Sequence, residues 1–193
     1  MPCERRIFIG LEIGKIVTVN CVTGETLSAQ QVHTQDVTSM VFCEYTKCLI
    51  STGAEGSLHI RREVRGGLQA LRCLHNAHCG QITCCAYSWK LSVVITGGAD
   101  SNLCVWDFQT LQLKASTRVH HKGITYLSVC PDRALLVACD GSGSLIMWHY
   151  DSEQTALTRL ANFRITPNFS PQVTPQIQVS TSLRVPICLG EAH

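Results

Sequence analysis

The sequence predicts an all-β chain assembled from a repeated unit of short strands, and three observations predict it. Three segments align without gaps over six positions: HTQDVT at 33–38, HCGQIT at 78–83 and HHKGIT at 120–125. The residue reached 28 positions after each opening His is Arg61, Trp106 or Trp148, while the whole unit recurs every 42 to 45 residues. A constant interior with a variable joint is the signature of a stacked structural repeat. Finally, the apolar runs are short, rich in β-branched and aromatic residues, and bounded by Gly, Asp or Ser, which is strand chemistry. None continues for the 10 or so periodic residues, free of glycine breaks, that a helix needs.

The elements follow in order. An opening copy, Ile9–Asn20, lacks everything upstream of its second strand. In the three complete copies the first strand holds Met40-Val41-Phe42, Cys84-Cys85-Ala86-Tyr87 or Tyr126-Leu127-Ser128-Val129. The second holds Cys48-Leu49-Ile50, Val93-Val94-Ile95 or Leu135-Leu136-Val137. A turn of small residues then leads to a third strand ending at Arg61, Trp106 or Trp148. In that strand Leu103 and Val105 alternate with Cys104 and Trp106, so both faces are apolar and both are expected to be packed.

Val105-Trp106-Asp107 after Gly97-Gly98-Ala99-Asp100, with a His 28 residues before the Trp, resembles the WD-repeat family. The resemblance covers about residues 7–150 in four registered copies. It implies a β-propeller of four-stranded antiparallel blades around a central channel. Three and a half to four blades are expected, over about 7–32, 33–74, 78–118 and 120–160. The resemblance also implies a buried relay of His, a strand Ser or Thr, a turn Asp and the Trp. His78, Thr96, Asp100 and Trp106 supply all four. The second copy has His33 and Ser51, with Glu55 for Asp and Arg61 for Trp; the fourth has His120 and Trp148, with Ala138 for Ser and Ser142 for Asp. The opening copy has Ile13 and Val19 at the last two positions. These residues are expected to hold blades together.

Propellers contain about four to eight blades, and two readings of the low count stand: a piece of a longer propeller whose other blades lie upstream, or an irregularly closed small ring. Ala156–Leu160 is expected as the outer strand of the last blade. The segment 161–193 reads as a tail rich in Pro, Ser and Thr. Within it Ile177, Val179, Thr181, Leu183 and Val185 alternate with polar residues, and either form a closing strand or belong to a disordered tail. In the second case Thr166-Pro167, Ser170-Pro171 and Thr174-Pro175 are weak candidates for proline-directed phosphorylation.

Composition removes several function classes. A formal net charge of +2 and one short basic run, Arg61–Arg65, broken by Glu63, give no surface for nucleic acid. No run of roughly 18 uncharged apolar residues exists for a membrane span. The N-terminus has no secretory pattern. The twelve cysteines therefore read as reduced, buried small hydrophobes of a cytoplasmic or nuclear protein, not a secreted one. Cys73-Leu74-His75-Asn76-Ala77-His78-Cys79 gathers metal-ligand types, but without a CxxC pair it is read as non-metal, with Cys73 and His75 on one side of an outer strand. No phosphate-cradling loop or nucleophile elbow occurs, and neither enzyme activity nor a cofactor is expected.

What remains is surface. The loops after each His carry Gln35, Asp36, Gln81, His121 and Lys122, and the inter-strand turns carry Glu55 and Asn102. On one face these would form a partner-binding rim. The expected role is a noncatalytic scaffold or adaptor that binds other proteins, its own missing blades or a complementary chain included. The alternative is a regulatory or trafficking propeller for lipid headgroups or modified peptides.

Overall fold

In a computed structural model, the chain is described over residues 6–118, 120–130 and 132–164. These form fifteen strands in four antiparallel sheets, with no helix among the described residues. The first sheet has three strands, β1 (Arg6–Gly10), β2 (Lys15–Asn20) and β3 (Thr26–Gln31). The second has β4 (Val37–Cys43), β5 (Cys48–Gly53), β6 (Leu58–Val64) and β7 (Gly67–Leu74). The third has β8 (Ile82–Ser88), β9 (Val93–Gly98), β10 (Leu103–Asp107) and β11 (Leu113–Thr117). The fourth has β12 (Ile124–Cys130), β13 (Leu135–Asp140), β14 (Ser144–Asp151) and β15 (Ala156–Arg164). Each sheet is a simple meander, so the architecture is the all-β propeller expected, with the opening sheet short by its innermost strand. The possible strand at 177–185 lies outside the described residues.

Blades meet through their first strands: β4 lies against β8, and β8 against β12. Between successive sheets lies one apolar layer. Ile16, Val32, Leu49 and Leu68 fill the first. The second holds Ile50, Ile60, Val94 and Trp106, and the third Ile95, Val105, Leu136 and Trp148. Covering sets the sequence pattern. β5 and β9, flanked on both faces, are buried at every position, whereas β13 alternates, with Leu136, Ala138 and Asp140 buried and Leu135, Val137 and Cys139 half-buried.

Backbone geometry repeats with the sequence. Gly14, Gly56, Ser101 and Gly143 stand at equivalent turn positions, with φ of +74°, +79°, +66° and +80°. The Gly14 carbonyl accepts from the N–H groups of Val32 and His33, and the Gly56 carbonyl from those of Ala77 and His78. A Cβ on Gly56 would meet the carbonyl oxygens of His78 and Gly80 at 2.7 Å, so this left-handed turn requires glycine for space as well as for φ. The third repeated device is a β-bulge at Thr38, Thr83 and Thr125. Each threonine hydroxyl donates to a carbonyl of the second strand, Thr52, Gly97 or Cys139, at 3.1, 2.9 and 3.3 Å. The threonine closing each six-residue motif thus satisfies backbone that the bulge unpairs.

Candidate functional site

The third blade contains the complete relay. Asp100 lies 3.0 Å from Nδ1 of His78 and accepts from it, and the Thr96 hydroxyl bonds Nε2 at 2.8 Å. The Thr96 oxygen in turn accepts from the Trp106 indole N–H at 2.8 Å. His78, Thr96 and Trp106 are buried, so each of these bonds replaces an unmet donor or acceptor. Asp100 is also bonded by Asn102, through its backbone and side chain. Burial pushes its carboxyl pKa up, but bonds from His78 and Asn102 outweigh that and hold it below the usual carboxylate value.

The second blade runs a variant. His33 Nδ1–H donates to Glu55 at 2.6 Å, and Ser51 bonds Nε2 at 2.9 Å. Ser57 bonds the same carboxylate. Burial pulls His33 below its ordinary pKa against the pull of Glu55. Arg61 stands at the Trp position, and its Nε is buried with no hydrogen-bond partner.

In the fourth blade the expected Ser142 is not the partner of His120. Asp140, two residues earlier, is: its Oδ2 lies 3.3 Å from Nδ1, and Oδ1 accepts from the backbone N–H groups of Ser142 and Ser144 and from the Ser142 hydroxyl. Burial pushes Asp140 up, yet these bonds hold it far below the usual carboxylate pKa. The aspartate has moved from the turn to the end of β13, where it still reaches the ring. An acid two residues early, in Cys139-Asp140-Gly141, was the available signal. Ala138 supplies no hydroxyl, so His120 Nε2 and Trp148 Nε1 are both buried without partners.

The candidate rim residues are brought to one end of the blades. In each complete blade the loop before the first strand is sewn to the turn between second and third strands: Ala54 N–H to Asp36 O and Ala99 N–H to Gln81 O at 2.9 Å, and Gly141 N–H to Gly123 O at 3.1 Å. Gln35, Asp36, Gln81, His121 and Lys122 are exposed there, and Glu55 and Asn102 are half-buried because they also serve the relays. The opposite end carries a feature that sequence reasoning missed. Tyr45 and Trp89, from the turns after β4 and β8, stack at 6.0 Å, and the Lys90 ammonium lies 5.5 Å from the Trp89 ring. These positions are not equivalent in the repeat, so no alignment of copies pairs them.

Cys73 of β7 and His75, just past its end, come together, and the structure adds His59, the partner of Cys73 on β6. Burial, then the charges of His33 and Arg61, pull the His59 pKa down to about 4. Among the described residues every cysteine is a free thiol. Burial pushes Cys85 and Cys104 up to about 11 and about 12, which keeps them protonated and inert.

Comparison with known proteins agrees with this geometry. The family model described as "WD domain, G-beta repeat" matches residues 71–107 and 112–149. Each match begins in or just before the outer strand of one sheet and ends with the third strand of the next, so a sequence repeat straddles two blades and ties them covalently. Meiotic fizzy-related protein 2 of Schizosaccharomyces pombe is 22% identical over 121 residues, which are 62% of this chain and 24% of that protein. A chain of a mitotic checkpoint complex crystal structure superposes with a TM-score of 0.70 at 17% identity, over 81% of this chain and 48% of that one. Sqt1 from Chaetomium thermophilum gives 0.69 at 20%, over 85% and 45%. The chain thus spans about a quarter of the length of that relative and about half of those solved chains. Repeat, strand order and likeness together show WD repeats at residues 71–107 and 112–149 within a β-propeller fold.

Proposed function

We propose that the chain is a noncatalytic protein-interaction scaffold that engages partners through its loop rim. The observation that supports this best is the sewing of each inter-blade loop to its neighbouring turn. Backbone hydrogen bonds tie Asp36, Gln81 and Gly123 to the neighbouring turns, while the side chains of Gln35, Asp36, Gln81, His121 and Lys122 stay exposed. A preorganised polar surface loses little entropy on binding. The histidines and acids that could suggest catalysis are instead engaged in holding blades: His33, His78 and His120 are buried and bonded to Glu55, Asp100 and Asp140.

The rim is tested by affinity purification with quantitative mass spectrometry, comparing wild type with Asp36→Lys and Lys122→Glu variants. A set of partners should be lost from the variants while their melting temperatures stay unchanged. Equal partner recovery from both would sink the rim. The faces of the end sheets favour a second mode of association. Ile7 and Ile9 on the first are 51% and 42% exposed, and Tyr126 on the fourth is 59% exposed. These faces are suited to further blades or a complementary chain; light scattering that gives a monodisperse monomer would count against such pairing by this chain with itself.

A further inference from the structure

One cluster belongs to no blade relay. His59 and Cys73 are directly opposed partners of β6 and β7, so their side chains leave the sheet on the same face. His75 follows Cys73 by two residues, just past the end of β7. Cys73 Sγ lies 3.4 Å from His59 Nε2 and 3.3 Å from His75 Nε2, and one ligand atom from each residue lies within 4.8 Å of the other two. A tetrahedral zinc ion about 2.3 Å from sulfur and about 2.0 Å from nitrogen separates those two donors by about 3.6 Å. The two sulfur–nitrogen spacings are therefore close to edges of such a tetrahedron.

We propose that His59, Cys73 and His75 form a zinc-binding site with three protein ligands and a fourth position open to water or to a partner's side chain. The donor set, one thiolate and two imidazoles, suits zinc over the harder magnesium or calcium. The site is built as well as crowded. The His59 ring packs edge-on against His33 at 4.4 Å and against His75 at 6.0 Å, which fixes its plane. Glu55 joins His33 and His59 in an overlapping cluster, and its Oε2 is buried with no hydrogen-bond partner. A carboxylate beside a ligating imidazole is the usual acceptor for that ring's other N–H. Cys73 and His75 are exposed, so an ion can enter and the open position faces outward. Leu58 and Leu74 pair at the rim end of β6 and β7, which puts the cluster beside the proposed partner-binding loops.

The test uses the full chain, reduced and stripped with chelator, then titrated with cobalt(II) as the spectroscopic probe. One equivalent of cobalt should bind, with a thiolate-to-cobalt charge-transfer band that zinc displaces. Cys73→Ser should abolish the band, and His75→Ala should weaken binding by about tenfold or more. Cys79→Ser, a neighbouring exposed thiol outside the cluster, should leave binding intact. Zinc should raise the melting temperature of wild type and not of Cys73→Ser, and both exposed-site variants should keep the wild-type fold by circular dichroism. Absence of stoichiometric cobalt uptake overturns the site, and so does uptake that survives Cys73→Ser and His75→Ala.

Discussion

The third and fourth blades hold the same His and Trp in the same places, yet one relay is closed and the other is broken. In the third, Thr96 stands between His78 and Trp106 and satisfies both. In the fourth, Ala138 occupies that place, and His120 Nε2 and Trp148 Nε1 are buried without partners. The fourth blade compensates at its other end. Asp140 gathers two backbone N–H groups and a hydroxyl besides the ring, and is 4% exposed. A blade therefore tolerates loss of its central hydroxyl when its carboxylate is more deeply tied in.

Thr96→Val would reproduce the fourth blade's defect inside the third. Two buried groups lose partners, each worth about 1–3 kcal/mol, so urea denaturation should show a loss of about 3 kcal/mol. A loss under about 1 kcal/mol would show that the hydroxyl is not the hub of the relay. Next in size, Asp140→Asn should cost about 2 kcal/mol and more than Asp100→Asn, because the Asp140 side chain is wholly buried whereas that of Asp100 is 14% exposed. The reverse order would remove the compensation argument.

Ala138→Ser should move the fourth blade toward the third. A hydroxyl between two orphaned groups should raise stability by about 1 kcal/mol, seen as a higher urea midpoint at unchanged slope. The smallest difference is expected between Trp148→Phe, which deletes an indole N–H that bonds nothing, and Trp106→Phe. Both leave a core cavity, so Trp148→Phe should be the milder of the two by about 1 kcal/mol, the worth of the indole bond that only Trp106 makes.

The second blade adds a pH signature. His33 and His59 have folded-state values below their unfolded value of 6.5. The unfolded chain then binds more protons, so the stability they contribute is full above pH 6.5 and is lost as pH falls toward about 4. Glu55, Asp100 and Asp140 are also depressed, so their contribution is present above about pH 4 and is lost below it. The melting temperature should be level above pH 7, decline between 6.5 and 4, and fall further below that. His59→Asn should flatten the upper part of the decline.

Much of this is legible in the amino-acid sequence. The fixed step from His to the Trp position specified strands and blade order, because a stacked unit cannot change its interior length without unpairing its own sheet. His78, Thr96, Asp100 and Trp106 could be named because all four keep the family's residue types. Asp140 could not, since alignment by position selects Ser142, and only the path of β13 shows that an acid two residues earlier reaches the same ring. His59 was hidden for a different reason. It lies 14 residues from Cys73 in the chain, and only the pairing of β6 with β7 makes them neighbours. Tyr45 and Trp89 meet across two blades, a relation that no single repeat encodes.

The joints formed at Gly14 and Gly56 have a consequence for how such chains grow. Each is made from one carbonyl and two successive N–H groups, and it asks for a particular side chain at only one residue. Such a connector is indifferent to what its neighbour displays. A repeat can be copied, deleted or exchanged as a cassette without redesign of the next one, and its relay can then drift toward the forms that carry Arg61 or Ala138. The joint that links successive blades also frees each cassette to acquire its own ligand chemistry.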